Sequence, residues 1–81
     1  MFRAKITITG EITGVMETWP LQLTINVKSE QYYVALEDNT AIYRNSEPAT
    51  ASDLSPGMQV KITGVTSESG TRLIAKIIEI L

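Results

Sequence analysis

Apolar and polar residues alternate along most of the chain, and this pattern predicts β-strands. The clearest case is residues 21–28, which read Leu-Gln-Leu-Thr-Ile-Asn-Val-Lys. The same period of two recurs in residues 3–15, 32–36, 40–43 and 58–63, and these segments and residues 73–80 are rich in Ile, Val and Thr. Because successive strand side chains point to opposite faces, each segment can turn one apolar face toward a core. The pattern predicts an all-β chain of five or six short strands.

Glycine and proline mark the places where the strands bend or end. Gly10 interrupts the inner row of the first strand, which predicts a bulge or sharp coil that lets one strand serve both sides of a small barrel. Asp38-Asn39 predicts a turn, because both residues tolerate left-handed backbone angles. Pro56-Gly57 suits the two central positions of a type II turn.

Residues 44–55 show no strand pattern and contain Pro48, so they are predicted to form the long connection. Within this connection we expect one helical turn at residues 52–54, capped by Thr50 or Ser52. Leu54 would then close one end of the barrel. Five or six short strands with one long connection before the last two is the order of an oligonucleotide/oligosaccharide-binding (OB) barrel.

Two features of the predicted strands leave alternatives open. Residues 21–28 are either the second barrel strand or an extension of the first, with residues 31–37 as the second. The choice decides whether Asn26 or Tyr33 lies on the binding face. The last strand, residues 73–80, is apolar on both faces apart from Lys76 and Glu79. Such a strand is either central in its sheet or covered on its outer side by a partner.

The second half of the chain resembles a family of uncharacterised bacterial OB-fold domains. The resemblance is carried by Thr-Ala-Ile at residues 40–42 and by Ser-Asp-Leu-Ser-Pro-Gly-Met-Gln-Val-Lys-Ile-Thr-Gly at residues 52–64, with Ala75 and Ile78 in the last positions of the pattern. Residues 36–42 also resemble the Leu-x-Asp-x-Thr-Gly-x-Ile hairpin of nucleic-acid-binding OB domains, with Ala41 in place of the glycine. The resemblance implies a fold and no enzyme activity, and it supplies no functional residues.

Strand pattern and resemblance together predict one fold. We expect an all-β, five-stranded Greek-key barrel of the OB type, with a short helical turn before strand 4. Residues 1–81 would form this single domain, since the chain is of one-domain length and contains no linker.

Composition narrows the possible functions. The chain has no cysteine and no histidine, which excludes disulfides and thiolate metal sites and removes the commonest general base. Its formal charge is -2, from seven basic and nine acidic residues, which argues against strong nonspecific nucleic-acid binding. No apolar run approaches the roughly 20 residues of a membrane span. We expect a soluble protein without a cofactor, and a cytoplasmic one if the chain is full length, because it shows no signal-peptide pattern.

Catalysis is not predicted from the remaining polar residues. No histidine can activate the Ser and Thr hydroxyl groups. Glu37 and Asp38 are adjacent on a strand, so their carboxylates diverge. The Asp38-Asn39-Thr40 cluster lacks the spaced carboxylates of a calcium loop.

A binding role is the prediction that remains. OB domains bind on the face of their second and third strands and on two flanking loops. Tyr33 and Tyr43 on this face either stack on a ligand or merely cover the barrel wall, and Trp19 either joins them or packs over the barrel end. The candidate binding residues are Trp19, Lys28, Tyr33, Tyr43, Arg44 and Arg72.

Two functional hypotheses follow. The first is a non-catalytic binding or assembly module that acts through its barrel wall and the exposed edge of its last strand, with a protein partner or a second copy of itself. The alternative is single-stranded nucleic-acid binding through Trp19, Lys28, Tyr33 and Arg44.

Overall fold

The computed structural model describes residues 5–18, 21–66 and 72–81. Within them lie β1 (Lys5–Met16), β2 (Gln22–Val27), β3 (Glu30–Arg44), the two-residue β4 (Glu47–Pro48), β5 (Gln59–Thr66) and β6 (Arg72–Ile80). A 3-10 turn at Ala51–Asp53 precedes β5. The all-β prediction and the predicted helical turn before the fourth barrel strand are confirmed.

Five of the strands form a closed barrel. They pair in the order β1, β2, β3, β6, β5 and back to β1. The β3–β6 pairing is parallel and the other four are antiparallel. This Greek-key connectivity is that of an OB-type barrel, as predicted. Because β6 pairs with β3 on one side and β5 on the other, the expected exposed edge of the last strand is wrong, and the alternative of a central strand is right.

The first strand bends so that it serves both sides of the barrel. Its first half pairs with β5, and its second half, from Glu11 onward, pairs with β2. A side chain at Gly10 would collide with the Asn26 carbonyl oxygen, so glycine permits the close approach of β1 to β2. The irregular register lies between Ile12 and Gly14. The predicted bend is therefore present at Gly10, and the bulge comes after it.

The open question about residues 21–28 is settled by strand pairing. Residues 22–27 form β2, which pairs with β1 and with β3, so they do not extend the first strand. Lys28 and Ser29 form the connecting two-residue turn, both with positive φ (49° and 71°), as in a type I′ hairpin. Asn26 and Tyr33 are both exposed and lie on the outer side of the wall.

The predicted turn at Asp38-Asn39 is wrong, because β3 continues through these residues as a bulge. Its register with β6 shifts between Leu36 and Ala41. The Thr40 hydroxyl donates to the Ala75 carbonyl oxygen at 2.8 Å and accepts from the Glu37 backbone N–H at 2.7 Å. These bonds replace part of the ladder, so the strand stays paired and the hairpin implied by residues 36–42 does not form.

The long connection is shorter than predicted, because a second tight hairpin follows β3. Asn45 and Ser46 have positive φ (52° and 66°) and return the chain into β4. In the 3-10 turn, the Asp53 carboxylate accepts from the Thr50 backbone N–H at 3.0 Å. Gly57 has φ 94°, and the Met58 N–H donates to the Ser55 carbonyl at 3.3 Å, which confirms the predicted type II turn.

The barrel interior is apolar throughout the described residues. No polar or charged side chain is buried there, and Leu54, 5% exposed, packs into the core as predicted. No helix in the described part of the chain is long and apolar enough to cross a membrane. The largest fully buried side chains are Ile12, Leu23, Ile25, Val34, Val60, Ile62, Leu73 and Ile78.

Candidate binding face on the barrel wall

Tyr33 projects from the outer wall of the barrel near the start of β3. Its neighbours along the strand face inward, because Tyr32 and Val34 pack with the core. Its cross-strand neighbours are Thr24 in β2 and Arg72 in β6. The tyrosine is 51% exposed. An aromatic ring on a sheet surface with this exposure can stack on a ligand without any rearrangement of the fold.

An apolar groove opens beside Tyr33, on the side of β1 and β2. Its volume is about 180 Å³, and Met16, 56% exposed, lies at its edge. The Thr13 hydroxyl donates to the Thr24 hydroxyl at 3.1 Å, which fixes one polar group of the wall. None of the lining side chains is charged. With Tyr33, the lining residues are Gly14, Val15, Met16, Gln22, Leu23 and Thr24.

Arg72 supplies a positive charge on the other side of Tyr33. A small second cleft, about 30 Å³, is lined by both residues together with Gln22, Val34 and Ala35. The guanidinium is exposed and is the one cationic group lining either cleft. The site therefore combines a ring, an apolar groove, an amide, a hydroxyl and a single positive charge.

Of the six predicted residues, the fold brings Tyr33 and Arg72 together. Tyr43 lies at the other end of β3, opposite Glu79 of β6, and lines a separate open groove of about 500 Å³. Arg44 is exposed beyond it, and Lys28 is in the β2–β3 turn. Trp19 lies outside the described residues. Among the described residues, the predicted set therefore comprises one neighbouring pair, Tyr33 and Arg72, and three residues that lie away from this pair.

Four cross-strand pairs form a continuous surface, which we name the outer β3/β6 face. Tyr33, Tyr43 and Arg72 of this surface are among the residues predicted from the sequence, and the last strand indicated its apolar β6 side. Ala35 and Ala41 were missed, because small side chains carry no binding signal. The exposed Lys76–Glu37 ion pair, 2.5 Å, lies midway along it. The pairs are Tyr33–Arg72, Ala35–Ile74, Ala41–Ile77 and Tyr43–Glu79.

Comparison with known proteins does not extend this picture. No family model matches the chain, and no curated protein matches it. The described residues contain no group of three or more acidic residues that could hold a metal ion. The assignment of an OB-type barrel therefore depends on the strand pairing alone, and a fold by itself does not identify a ligand.

Proposed function

We propose that this domain is a binding module without catalytic activity, and that it holds an extended ligand against the outer wall around Tyr33. The observation that carries the proposal is the half-exposed Tyr33 ring between Thr24 and Arg72, with an apolar groove beside it. This position, on the second and third barrel strands, is where OB-type barrels bind their ligands.

The chemistry of the groove favours recognition by stacking and hydrogen bonding. Stacking of one ring on Tyr33 contributes roughly 1–3 kcal/mol. The Gln22 amide and the Thr24 hydroxyl line the groove and can bond to hydroxyl or amide groups of a ligand. Because the groove lining carries no charge, we propose a ligand made of successive rings, such as an oligosaccharide chain.

The absence of catalysis is proposed from the residue types at the site. An amide, a hydroxyl, a phenol and a guanidinium surround the groove, and the sequence has no histidine or cysteine to act as base or nucleophile. Such groups orient a ligand but do not activate water. The resemblance to the uncharacterised bacterial OB family implies the same absence of activity.

Single-stranded nucleic acid is the second candidate. The observation that favours it is the register of β3 and β6, which places Arg72 directly beside the Tyr33 ring. A ring with an adjacent guanidinium is a common platform for an unpaired base. The wide separation of Lys28 and Arg44 from this pair provides little charge for the phosphate backbone.

The test is a titration of the ¹⁵N-labelled protein with a neutral cello-oligosaccharide and with a thymidine oligonucleotide of about ten residues, at low salt. We expect chemical-shift changes of the backbone amides centred on Thr24, Tyr33 and Arg72. The added oligosaccharide or oligonucleotide should be recovered uncleaved after the titration. Tyr33→Ala should weaken binding by about 5- to 150-fold, the equivalent of one stacked ring. A steep loss of oligonucleotide affinity with salt would favour nucleic acid.

Tyr43→Ala is the matched control, since it removes the other exposed tyrosine of β3. It should change the affinity by less than about twofold, because Tyr43 does not line the groove. Equal losses in the two variants, shifts confined to another surface, or no binding of either oligomer would contradict the proposal. Cleavage of an added oligomer would contradict the non-catalytic part.

A further inference from the structure

We propose that a second copy of this chain docks on the outer β3/β6 face through a two-fold axis. The contact covers Tyr33 and Arg72, so dimer formation competes with the ligand proposed above, and the test below therefore uses the free protein. Three of the five large hydrophobic side chains that are exposed in the described residues lie on this face: Tyr33 (51%), Ile77 (39%) and Tyr43 (37%). These side chains are spread along one surface of the barrel wall, and exposed apolar residues that share a surface mark an interaction site.

The face is widened by β5, the other neighbour of β6. Ile74 pairs with Val65, and Ile77 pairs with Thr63. Val65, Thr63 and Ile74 are all partly exposed, and neither Val65 nor Ile74 packs with the core cluster. The apolar surface therefore crosses three strands of the barrel wall.

The order of residues along the face makes it complementary to itself. The outer row of β6 reads Arg72, Ile74, Ile77, Glu79, with a positive charge at one end and a negative charge at the other. The outer row of β3 reads tyrosine, alanine, alanine, tyrosine, the same in both directions. A two-fold contact requires that one patch match its own rotated copy.

A two-fold axis in the plane of the face, perpendicular to the strands, reverses the strand direction in the second copy. It places Arg72 opposite Glu79 of the second copy, and Ile74 opposite Ile77 of the second copy. Both charge pairs form at once, since the axis repeats each contact. Parallel alignment of the two copies would instead bring like charges together, so the charge order selects one orientation.

The remaining charges near the face are compatible with this contact. Glu37 and Lys76 neutralise each other at the centre of the face. The axis places each of these two residues near its own copy, so the two neutral pairs add no attraction and the Arg72–Glu79 contacts at the ends decide the orientation. Lys61 is next to Glu79 on β5 and competes for the same carboxylate. The variant Lys61→Gln should therefore tighten the dimer.

The shape at the Glu79 end also favours a second copy. An open groove of about 500 Å³ is lined there by Tyr43, Glu79, Leu81 and the Asn45-Ser46 turn. The same axis places Tyr33 and Arg72 of the second copy over this groove. The four pairs with Thr63 and Val65 make ten residues per copy, fewer than the roughly 20 of a standard interface, so we expect a weak dimer with a dissociation constant on the order of tens of micromolar.

Sedimentation equilibrium of the intact chain between about 5 and 500 µM tests the inference. The unmodified chain should show a monomer–dimer equilibrium. Arg72→Glu and Glu79→Arg should each raise the dissociation constant about tenfold or more, because each creates two like-charge contacts. An equimolar mixture of the two variants, and the double variant R72E/E79R, should restore the dimer.

Lys28→Glu and Glu11→Arg are matched controls that make the same charge changes away from the face. They should leave the dissociation constant within about twofold, and thermal unfolding by circular dichroism checks that every variant is folded. A strictly monomeric unmodified chain would overturn the inference. So would a dimer that tolerates both charge reversals, or a mixture that associates no better than its components.

Discussion

The two sides of β6 carry similar apolar residues and differ in what covers them. Leu73, Ala75 and Ile78 face inward and are at most 1% exposed. Ile74 and Ile77 face outward, and Ile77 is 39% exposed. The inward residues belong to the core cluster, whereas the outward ones neither belong to it nor pack against it. The comparison shows that one strand can pack into the core with its inner face and leave its outer face available to a partner.

The largest effect should come from the inner side, at the closest approach of β5 to β6. A side chain at Gly64 would collide with the Ile74 carbonyl oxygen, which is backbone and cannot rotate away. Gly64→Val should therefore cost about 3 kcal/mol of unfolding free energy, measured by urea denaturation. Thr63→Val, at the adjacent outward position, should cost less than about 0.5 kcal/mol. Equal costs would mean that the two strands are not packed as described.

Ile77 and Ile78 provide a direct comparison between neighbouring positions. Ile78→Ala should cost about 2–3 kcal/mol, because the side chain is fully buried. Ile77→Ala should cost less than about 1 kcal/mol in a dilute sample, where it loses mainly contacts along the surface. Thermal and urea unfolding of the two variants measure the difference. A smaller cost at position 78 than at position 77 would invert the assignment of inner and outer faces.

The Thr40 hydroxyl should have an intermediate effect, since it links β3 to β6 across the bulge. Thr40→Val removes its bonds to the Ala75 carbonyl and the Glu37 N–H, and should cost about 1–2 kcal/mol. Thr40→Ser keeps the hydroxyl and should retain most of the stability. Loss of the same stability in both variants would show that the methyl group, not the hydrogen bonding, is what matters.

The smallest effect should come from the Lys76–Glu37 pair on the outer side. Both side chains are more than two-fifths exposed, so solvent screens the pair. Lys76→Gln should cost no more than about 0.5 kcal/mol, and raising the salt concentration should abolish the difference from the unmodified chain. A salt-independent cost above about 1 kcal/mol would mean that the pair is part of the barrel wall and not of its surface.

Local signals explain why much of the fold is predictable from the sequence. Strict alternation in residues 21–28, the bend at Gly10 and the Pro56-Gly57 turn each depend on a few neighbouring residues, and each is present. The turn expected at Asp38-Asn39 fails because β6, more than thirty residues later, supplies hydrogen bonds that keep β3 extended. The local preference of these two residues for a turn is weaker than the hydrogen bonds of a strand pairing between distant parts of the chain.

The candidate site was predictable in part for the same reason. Tyr33 stands out as an aromatic residue at an outward strand position. Its neighbour Arg72 follows from the parallel register of β3 and β6, which alternation alone does not fix. The supposed free edge of the last strand was wrong because a strand apolar on both faces can equally be central.

The central claim is that β6 packs into the core with its inner side and binds a second copy with its outer side. The isoleucine methyl groups of β6 provide the most direct test. A soluble paramagnetic probe broadens the NMR signals of exposed methyl groups. In dilute protein, Ile77 should be strongly broadened and Ile78 should not. In concentrated protein, Ile77 should become protected. Equal broadening of Ile77 at all concentrations, or broadening of Ile78, would contradict the account.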